Sequence, residues 1–192
     1  ALRPDLVVGM AAGDPDIQDK VERAEIPYLF VRMDTFDQTY RGIRALGEAL
    51  GQAEPAADLV GRMRRQIHKV SASAQERARG EAPEVLFVLG HKPLVVAGPE
   101  TFGDELITLA GGANAAAGLE GRYPKLDLER VLAMDPDVIV DAAMVPGEGA
   151  NTDFWTRRAG LEAVASGRVH AWSEAALLRP GPRLVEALRS FV

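Results

Sequence analysis

The chain has 192 residues, 47% of them hydrophobic, which is enough apolar side chain for a folded core. Its formal net charge of -6 disfavours a nucleic-acid partner, because binding to phosphates needs a basic surface. It has no cysteine, which excludes disulfides, thiolate metal sites and cysteine nucleophiles, and its three histidines are too scattered to indicate a zinc site.

The first part of the sequence alternates between apolar runs and amphipathic segments. The runs DLVV at 5–8 and YLFV at 28–31 predict two strands that are buried on both faces, each followed by a helix. Thr35 and Gln38 have the spacing of a capping box, so we predict that the second helix begins after Thr35 and ends before Gly51. The order strand, helix, strand, helix predicts a parallel sheet.

A single long helix is predicted over 54–79, before Gly80. Its apolar side chains recur every three or four residues, which is typical of one buried face. The residues of this face are Ala56, Leu59, Met63, Ile67, Val70 and Ala74. At 1.5 Å per residue the helix is roughly 35–40 Å long, which is enough to connect two domains. His68 also lies on this helix, where we expect it to contact solvent.

A second α/β segment follows the long helix. The apolar runs EVLFVL at 84–89 and PLVVAG at 93–98 predict two neighbouring strands with a turn between them. Further strands are predicted at 137–140 and 168–172, and helices at 101–110, 128–134, 152–166 and from Pro182 onward. Asp127 is expected to cap the helix that follows it, and Gly160 to interrupt the helix around it.

One phrase occurs twice in the chain, as ALRPDLVVGM at 1–10 and AMDPDVIVDA at 133–142. Strands and helices precede the second copy, whereas the first copy opens the sequence. We therefore expect two related α/β units, the first of which lacks its beginning. The predicted architecture is two Rossmann-like α/β lobes joined by a single long helix: a partial N-terminal lobe at 1–52, the helix at 53–80 and a C-terminal lobe at 81–192.

Ligands of open α/β sheets bind beyond the carboxyl ends of the strands, so the residues that follow predicted strands, and the loops beside them, are the candidates for ligand contacts. They are Met10, Arg32, His91, Lys92, Tyr123, Lys125, Met144, Trp172 and Arg179. Together they form a mixed aromatic and basic rim, which suits a flat, polarizable ligand that carries acidic groups. Plainer roles stay open: a core position for Tyr123 or Trp172, a cap for Arg179 and a turn for His91.

The sequence shows no catalytic constellation. The glycines of GDELITLAGG follow a predicted helix instead of opening one, which disfavours a dinucleotide site. Asp104 and Glu105 fall in the first turn of that helix, where carboxylates stabilise the helix dipole. A nucleotide-using Rossmann-type enzyme and a ligand-free truncated module are kept as alternatives. Exposed strand edges in an incomplete N-terminal lobe predict a homodimer through that lobe.

Four stretches spread over the chain carry a family resemblance. They are ALRPDLVVG, VLFVLGHKPLVVAGPETFGDELITLAGGANAAA, YPKLDLERVLAMDPDVIV and LLRPGPRLVEAL. In these stretches the chain resembles the substrate-binding proteins of ABC importers for cobalamin, haem and ferric siderophores. The resemblance implies an extracytoplasmic protein, periplasmic or lipid-anchored, that is not an enzyme and hands a small metal chelate to a membrane permease. It implies no resident cofactor, since any cobalt or iron would belong to the ligand.

The resemblance also implies roles for single residues. Glu129 falls where the family places a glutamate that docks on permease arginines. Tyr123 falls where cobalamin binders carry an aromatic residue against the ligand. Met10 falls where they often carry tryptophan, so the stacking surface is weaker here. The stretches YPKLDLE and RPGPRL resemble the cobalamin branch most, which makes a corrinoid the expected ligand.

Haem and a ferric siderophore are the alternative ligands. Haem would need an axial ligand, for which His91 is the candidate in this sequence. A negatively charged siderophore complex would need cationic side chains, for which Arg32, Lys92, Lys125 and Arg179 are available.

Overall fold

The computed structural model describes residues 4–11, 15–77, 80–143, 152–158, 160–172 and 181–192. In chain order these residues form a small parallel sheet with its helices, a long helix, and a larger mixed sheet with its own helices. The predicted α/β fold class is confirmed. The domain limits at 52 and 80 stay predictions. Below, the N-terminal lobe means the elements before the long helix, and the C-terminal lobe means those after it.

The N-terminal lobe follows the predicted order of strand, helix, strand, helix. Its elements are β1 (Val7–Met10), α1 (Pro15–Arg23), β2 (Tyr28–Val31) and α2 (Phe36–Ala49). The two strands pair in parallel, with Val7 opposite Tyr28. Thr35 caps α2 by accepting a hydrogen bond from the Gln38 N–H at 3.2 Å, as the capping-box spacing predicts.

The two strands of this lobe are not buried on both faces, so that prediction was wrong. Val8, Met10 and Tyr28 are exposed, whereas Val31 is buried. Within the described residues β1 and β2 pair with each other alone, so few neighbours cover either face of the pair. The homodimer expected through this lobe stays a prediction. The mass measured by light scattering over a range of concentrations would test it.

The long helix α3 spans Ala53–Arg77, which is about 37 Å at 1.5 Å per residue. One face of it is buried at intervals of three or four residues, as predicted, but Val60 and Ser71 are buried where Leu59 and Val70 were expected, and those two are half-buried. The residues of this face are Ala56, Val60, Met63, Ile67, Ser71 and Ala74. His68 is exposed, as expected. The helix packs against α2 on one side and against elements of the C-terminal lobe on the other.

The C-terminal lobe is built on one mixed sheet. Its strands are β3 (Glu84–His91), β4 (Leu94–Val96), β5 (Ala113–Asn114), β6 (Lys125–Leu126), β7 (Val138–Asp141) and β8 (Val169–Ala171). Their order is β6-β4-β3-β7-β8, and β5 also pairs with β3. Strands β3, β7 and β8 run parallel, whereas β3 and β4 form an antiparallel hairpin. The parallel strands therefore end together at one edge of the sheet, where His91 and Asp141 lie.

Helices cover both faces of this sheet. They are α4 (Phe102–Leu109), α5 (Leu128–Met134), α6 (Asp153–Thr156), α7 (Glu162–Ala165) and α8 (Leu184–Phe191). Asp127 caps α5 by accepting a hydrogen bond from the Arg130 N–H at 2.7 Å, as predicted. The segment predicted at 152–166 is divided into α6 and α7, with Gly160 between them.

The apolar core has two parts, one on each face of the larger sheet. Phe87 of β3 belongs to one part and Leu86 to the other, as the alternation of side chains along a strand requires. The first part also includes Phe36 and Tyr40 of α2, the buried face of α3, and residues of α4 and α8. The core is therefore continuous from the N-terminal lobe through α3 into the C-terminal lobe.

Candidate functional site

A charged contact joins the two lobes. The carboxylate of Asp34, which follows β2, lies 3.0 Å from the guanidinium of Arg122, which lies in the loop before β6. Arg122 also contacts the carboxylate of Glu100 at 3.4 Å, and the Arg32 Nε lies 3.9 Å from Asp34. These four side chains form a cluster of alternating charge at the junction of the lobes, and we call it the junction cluster.

Backbone contacts fix the arginine side of the junction cluster. The carbonyl of Arg122 accepts a hydrogen bond from the Gly98 N–H at 2.8 Å, and the carbonyl of Pro124 accepts one from the Val96 N–H at 3.2 Å. A Cβ atom at Gly98 would lie 2.5 Å from the carbonyl oxygen of Gly121. The loop that carries Arg122 therefore sits against the end of β4 at a distance that glycine alone permits.

The start of α2 holds the aspartate side of the cluster. The Asp34 N–H donates to the Gln38 Oε1 at 2.9 Å, and Thr35 caps the helix. Asp34 thus occupies the turn between β2 and α2, at the carboxyl end of a parallel strand. This is the edge at which open α/β sheets bind their ligands.

Tyr123 lies beside the junction cluster. Its side chain is 49% exposed, so the alternative of a core position does not apply. Partial burial raises the pKa of the Tyr123 phenol above its usual value, the negative charge of Asp34 raises it further, and Arg122 acts in the opposite direction. The phenol therefore stays neutral at physiological pH and offers both an aromatic face and a hydroxyl next to the ion pair.

We expect Gly98→Ala to destabilise the protein and displace the loop at 121–124. The added methyl group has no room against a backbone carbonyl, and such overpacking costs about 1–3 kcal/mol. Gly118→Ala is the matched control, since no atom lies within 4 Å of its added Cβ. Urea unfolding of both variants measures the difference. Equal free energies of unfolding for the two variants would contradict the close approach at Gly98.

A second cluster lies at the carboxyl edge of the larger sheet. Asp141 is fully buried, and its Oδ2 lies 2.7 Å from the His91 Nε2 and accepts a hydrogen bond from the Trp155 indole N–H at 2.6 Å. Its Oδ1 accepts from the Ala143 N–H at 2.9 Å. The His91 ring stacks on Phe154, with centroids 4.1 Å apart. His91 is thus held by the protein itself, and its Nε2 is engaged.

The structure places the predicted site residues in different environments. Arg32 joins the junction cluster, whereas Met10, Lys92, Lys125 and Glu129 are exposed side chains on other elements. Met10 is exposed at the end of β1, and Lys92 is exposed in the turn between β3 and β4. Lys125 is exposed on β6, and Glu129 is exposed in the first turn of α5.

Trp172 is a core residue and not part of a rim. It packs edge-on against Phe87, with centroids 5.5 Å apart, and its indole N–H donates to the Ser190 Oγ at 3.1 Å. Because the side chain is buried and its polar atom is paired, its place is explained by packing. Met144 and Arg179 lie outside the described residues.

Three residues of the junction cluster were not predicted from the sequence: Asp34, Arg122 and Glu100. Two of them stand beside residues that were predicted, since Asp34 is two positions after Arg32 and Arg122 immediately precedes Tyr123. A preference for charged residues next to strand ends would have found both. Glu100 lies four residues after the end of β4, and no predicted site residue stands beside it in the sequence.

A groove of about 580 Å³ runs between α2, α3 and α4. Its lining includes Phe36, Tyr40, His68 and Glu105. It lies along helices, and none of the predicted site residues lines it. The Glu105 carboxylate accepts a hydrogen bond from the Phe36 N–H at 2.5 Å, which makes it a second polar link between the lobes.

We expect Glu105→Gln to change how stability depends on pH. Burial raises the pKa of the Glu105 carboxyl, although the hydrogen bond from Phe36 opposes this, so the folded state favours the protonated form. The protein therefore loses stability as the pH rises from about 4.5, and the Gln variant lacks this loss. Thermal unfolding between pH 4 and 7 checks it, with exposed Glu129→Gln as the control. A difference from the wild type that stays constant with pH would contradict it.

The described part of the chain lacks two kinds of feature. No helix there is long and apolar enough to cross a membrane. Nor do the same residues hold a group of three or more His, Asp or Glu side chains placed to bind a metal ion.

Comparison with known proteins places the chain among its relatives. The family model for the periplasmic binding proteins matches residues 1–176. The chain is similar to the uncharacterized ABC transporter substrate-binding lipoprotein YvrC of Bacillus subtilis (strain 168), with 27% identity over 194 residues, 98% of this chain and 60% of the relative. It is also similar to the vitamin B12-binding protein of Vibrio cholerae serotype O1, with 26% identity over 188 residues, 97% of this chain and 66% of the relative.

The chain thus spans 60% and 66% of the lengths of these two curated relatives. Among solved structures, the periplasmic heme-binding protein RhuT from Roseiflexus sp. RS-1 in its apo form superimposes with a TM-score of 0.81 at 29% identity. That superposition covers 97% of this chain and 73% of the other. Since the family match extends over most of its length, the chain belongs to the periplasmic binding protein family.

Proposed function

We propose that this protein is the extracytoplasmic solute-binding component of an ABC importer and that it captures its ligand between the two lobes. The observation that carries the proposal is the position of Tyr123 and Arg122, which face Asp34 of the other lobe across the junction. An exposed aromatic face next to a fixed guanidinium suits a flat chelate with polar groups at its rim. The role is binding and delivery and not turnover.

We propose a corrinoid as the ligand. The similarity to a vitamin B12-binding protein supports this choice, and so does the exposed aromatic side chain at Tyr123. Haem is the alternative that the likeness to a heme-binding protein favours. The candidate axial ligand for haem, His91, is stacked on Phe154 and engaged by Asp141, which weighs against haem. A ferric siderophore, held by Arg32 and Arg122, is the second alternative.

We also propose that Glu129 docks the protein on its permease. The side chain is exposed in the first turn of α5, and the carboxylate is free to meet an arginine of the membrane protein. Glu129→Ala would then leave ligand affinity unchanged but abolish stimulation of the transporter's ATPase in vesicles. Loss of ligand affinity in this variant would contradict the docking role.

Tryptophan fluorescence on titration with cyanocobalamin, hemin and a ferric hydroxamate tests the ligand. Trp155 and Trp172 are both buried in the C-terminal lobe, so a strongly absorbing ligand in the junction quenches them by energy transfer. We expect saturable 1:1 quenching by cyanocobalamin. Free N-acetyltryptophanamide with the same titrants corrects for absorption of the exciting light.

The other outcomes each assign a different ligand or none. Saturation by hemin alone would replace the corrinoid with haem, and saturation by the ferric hydroxamate alone would replace it with a siderophore. No saturation by any of the three would overturn the proposed binding function of this chain. Tyr123→Ala is expected to weaken binding and Tyr123→Phe to retain most of it, because the aromatic face makes the contact.

A further inference from the structure

We propose that the Asp34 carboxylate pairs with the Arg122 guanidinium when the site holds no ligand, and that an acidic group of the ligand displaces Asp34 from this guanidinium. The ion pair between the lobes would then act as a filter for charge, favouring chelates that carry a carboxylate or a phosphate. This inference rests on the proposed function, since it concerns the same site.

The chemistry of Arg122 fits such an exchange. A guanidinium binds carboxylate and phosphate oxygens through a planar fork of N–H donors. In this structure two carboxylates already use that fork: the Nη1 contacts Asp34 at 3.0 Å and the Nη2 contacts Glu100 at 3.4 Å. Asp34 comes from the opposite lobe, so it occupies the position that an acidic group of a bound ligand would take.

The exposure of the pair permits the exchange. The Arg122 side chain is 31% exposed and the Asp34 side chain 17%, so the contact is open to solvent on one side. Because the contact is partly open, a ligand can reach Arg122 without the lobes first separating. An acidic group of the ligand then replaces the contact with Asp34 instead of only breaking it.

Arg122 and Asp34 differ in the other contacts that hold each side chain in place. The backbone of Arg122 is fixed against Gly98, so its guanidinium is presented from a rigid loop. Asp34 has a second cation within reach, since the Arg32 Nε lies 3.9 Å from its carboxylate and the Arg32 side chain is 62% exposed. After displacement from Arg122, Asp34 still has Arg32 as a partner. Asp34 is therefore the residue of the ion pair that can move away.

The consequence concerns ligand selection. An uncharged chelate gains nothing from Arg122, so it cannot compete with Asp34 for the guanidinium. A chelate with a carboxylate or phosphodiester replaces one charged contact by another and keeps its remaining contacts with the site. Removal of the Asp34 charge should therefore strengthen the binding of acidic ligands selectively, since a larger fraction of the protein then presents a free Arg122.

The test compares ligands that differ in their acidic group. Cyanocobalamin carries a phosphodiester and dicyanocobinamide lacks it; hemin carries two propionates and its dimethyl ester has none that are free. One of these two ligand pairs should bind. For the acidic ligand of that pair, Asp34→Asn should lower the Kd about twofold to fivefold, the range measured for ion pairs that contact solvent. Arg122→Gln should raise that Kd about tenfold or more, as expected for loss of a charged hydrogen bond.

The matched controls separate this effect from general changes in charge. Glu100→Gln removes a carboxylate from the same guanidinium, but Glu100 is 76% exposed and belongs to the same lobe as Arg122, so a smaller change is expected. In the Asp34→Asn/Arg122→Gln double variant, the gain from Asp34→Asn should disappear. Circular dichroism and urea unfolding confirm that each variant is folded.

Several results would overturn the inference. They are weaker binding of the acidic ligand by Asp34→Asn, an equal gain for the acidic and the uncharged ligand, and a gain that survives in the double variant. If the wild type binds no ligand of either pair, the charge filter fails for corrinoids and haem, and the proposed function fails as well if the ferric hydroxamate does not bind either. If the wild type binds and Asp34→Asn leaves the Kd of the acidic ligand unchanged, the charge filter alone fails.

Discussion

Replacement of Asp141 by alanine is expected to lower the free energy of unfolding by about 3–5 kcal/mol, since each buried polar group that loses its partner costs about 1–3 kcal/mol. Three groups lose their acceptor or partner in this variant: the Ala143 N–H, the Trp155 indole N–H and the His91 ring. Asp141 is fully buried, so water does not replace the lost contacts without a change in packing. Urea unfolding followed by circular dichroism measures the loss.

Asp141→Asn sharpens this prediction. A carboxylate is an acceptor at both oxygens, whereas an amide has one acceptor and one donor end. In either orientation the amide would turn its NH2 group toward an N–H, either that of Ala143 or that of Trp155. We therefore expect a clear loss of stability from this nearly isosteric change. Asp127→Asn, at an exposed N-cap where asparagine also caps well, should cost only a few tenths of a kcal/mol.

Equal losses for Asp141→Asn and Asp127→Asn would contradict the role assigned to the buried carboxylate. Hemin binding by the Asp141 variants tests the candidate haem ligand His91. If the Asp141 variants fold at reduced temperature and then bind hemin more tightly than the wild type does, release of His91 has created an axial ligand. The structure leads us to expect no hemin site at His91 as long as Asp141 holds it.

Phe36→Ala is expected to lower the free energy of unfolding by about 3–5 kcal/mol, as buried phenylalanines do when they are truncated. Phe36 opens α2 in the N-terminal lobe and is buried against Phe102 of α4 in the C-terminal lobe, with ring centroids 5.0 Å apart. Its backbone N–H is also the donor to Glu105. The residue thus joins the lobes through both its side chain and its backbone.

Phe36→Leu is the matched control for this variant. Leucine fills most of the space of the ring, and both variants keep the backbone N–H that donates to Glu105, so the loss for leucine is expected to stay below about 1.5 kcal/mol. Urea unfolding measures both variants, and limited proteolysis shows whether the lobes separate in Phe36→Ala. A small loss in Phe36→Ala, similar to that of Phe36→Leu, would show that the contact with Phe102 does not hold the lobes together.

Local features of the fold could be predicted from the sequence, because their causes are local. The caps at Thr35 and Asp127 each depend on a side chain and a backbone N–H three residues apart. The buried face of α3 follows from the spacing of its apolar residues. The burial of β1 and β2 could not be predicted in this way, because an apolar run does not reveal how many strands lie beside it.

The candidate site was harder to predict because its contacts are distant in sequence. Asp34 and Arg122 are 88 residues apart, and His91 and Asp141 are 50 apart. Strand ends identified the edge of the sheet but not which side chains meet there. Trp172 illustrates the limit: an aromatic residue after a strand suits both a ligand site and a core, and only the contact with Phe87 decides for the core.

The helix α3 packs against α2 in one lobe and against α4 and α8 in the other. A substitution on its buried face, for example at Met63, must therefore suit the neighbours of a core that both lobes share. This constrains recombination between relatives. A chimera that takes one lobe from another protein keeps only some of the partners of this face and replaces the others, so functional hybrids should arise mainly when α3 and the core residues of both lobes are inherited together.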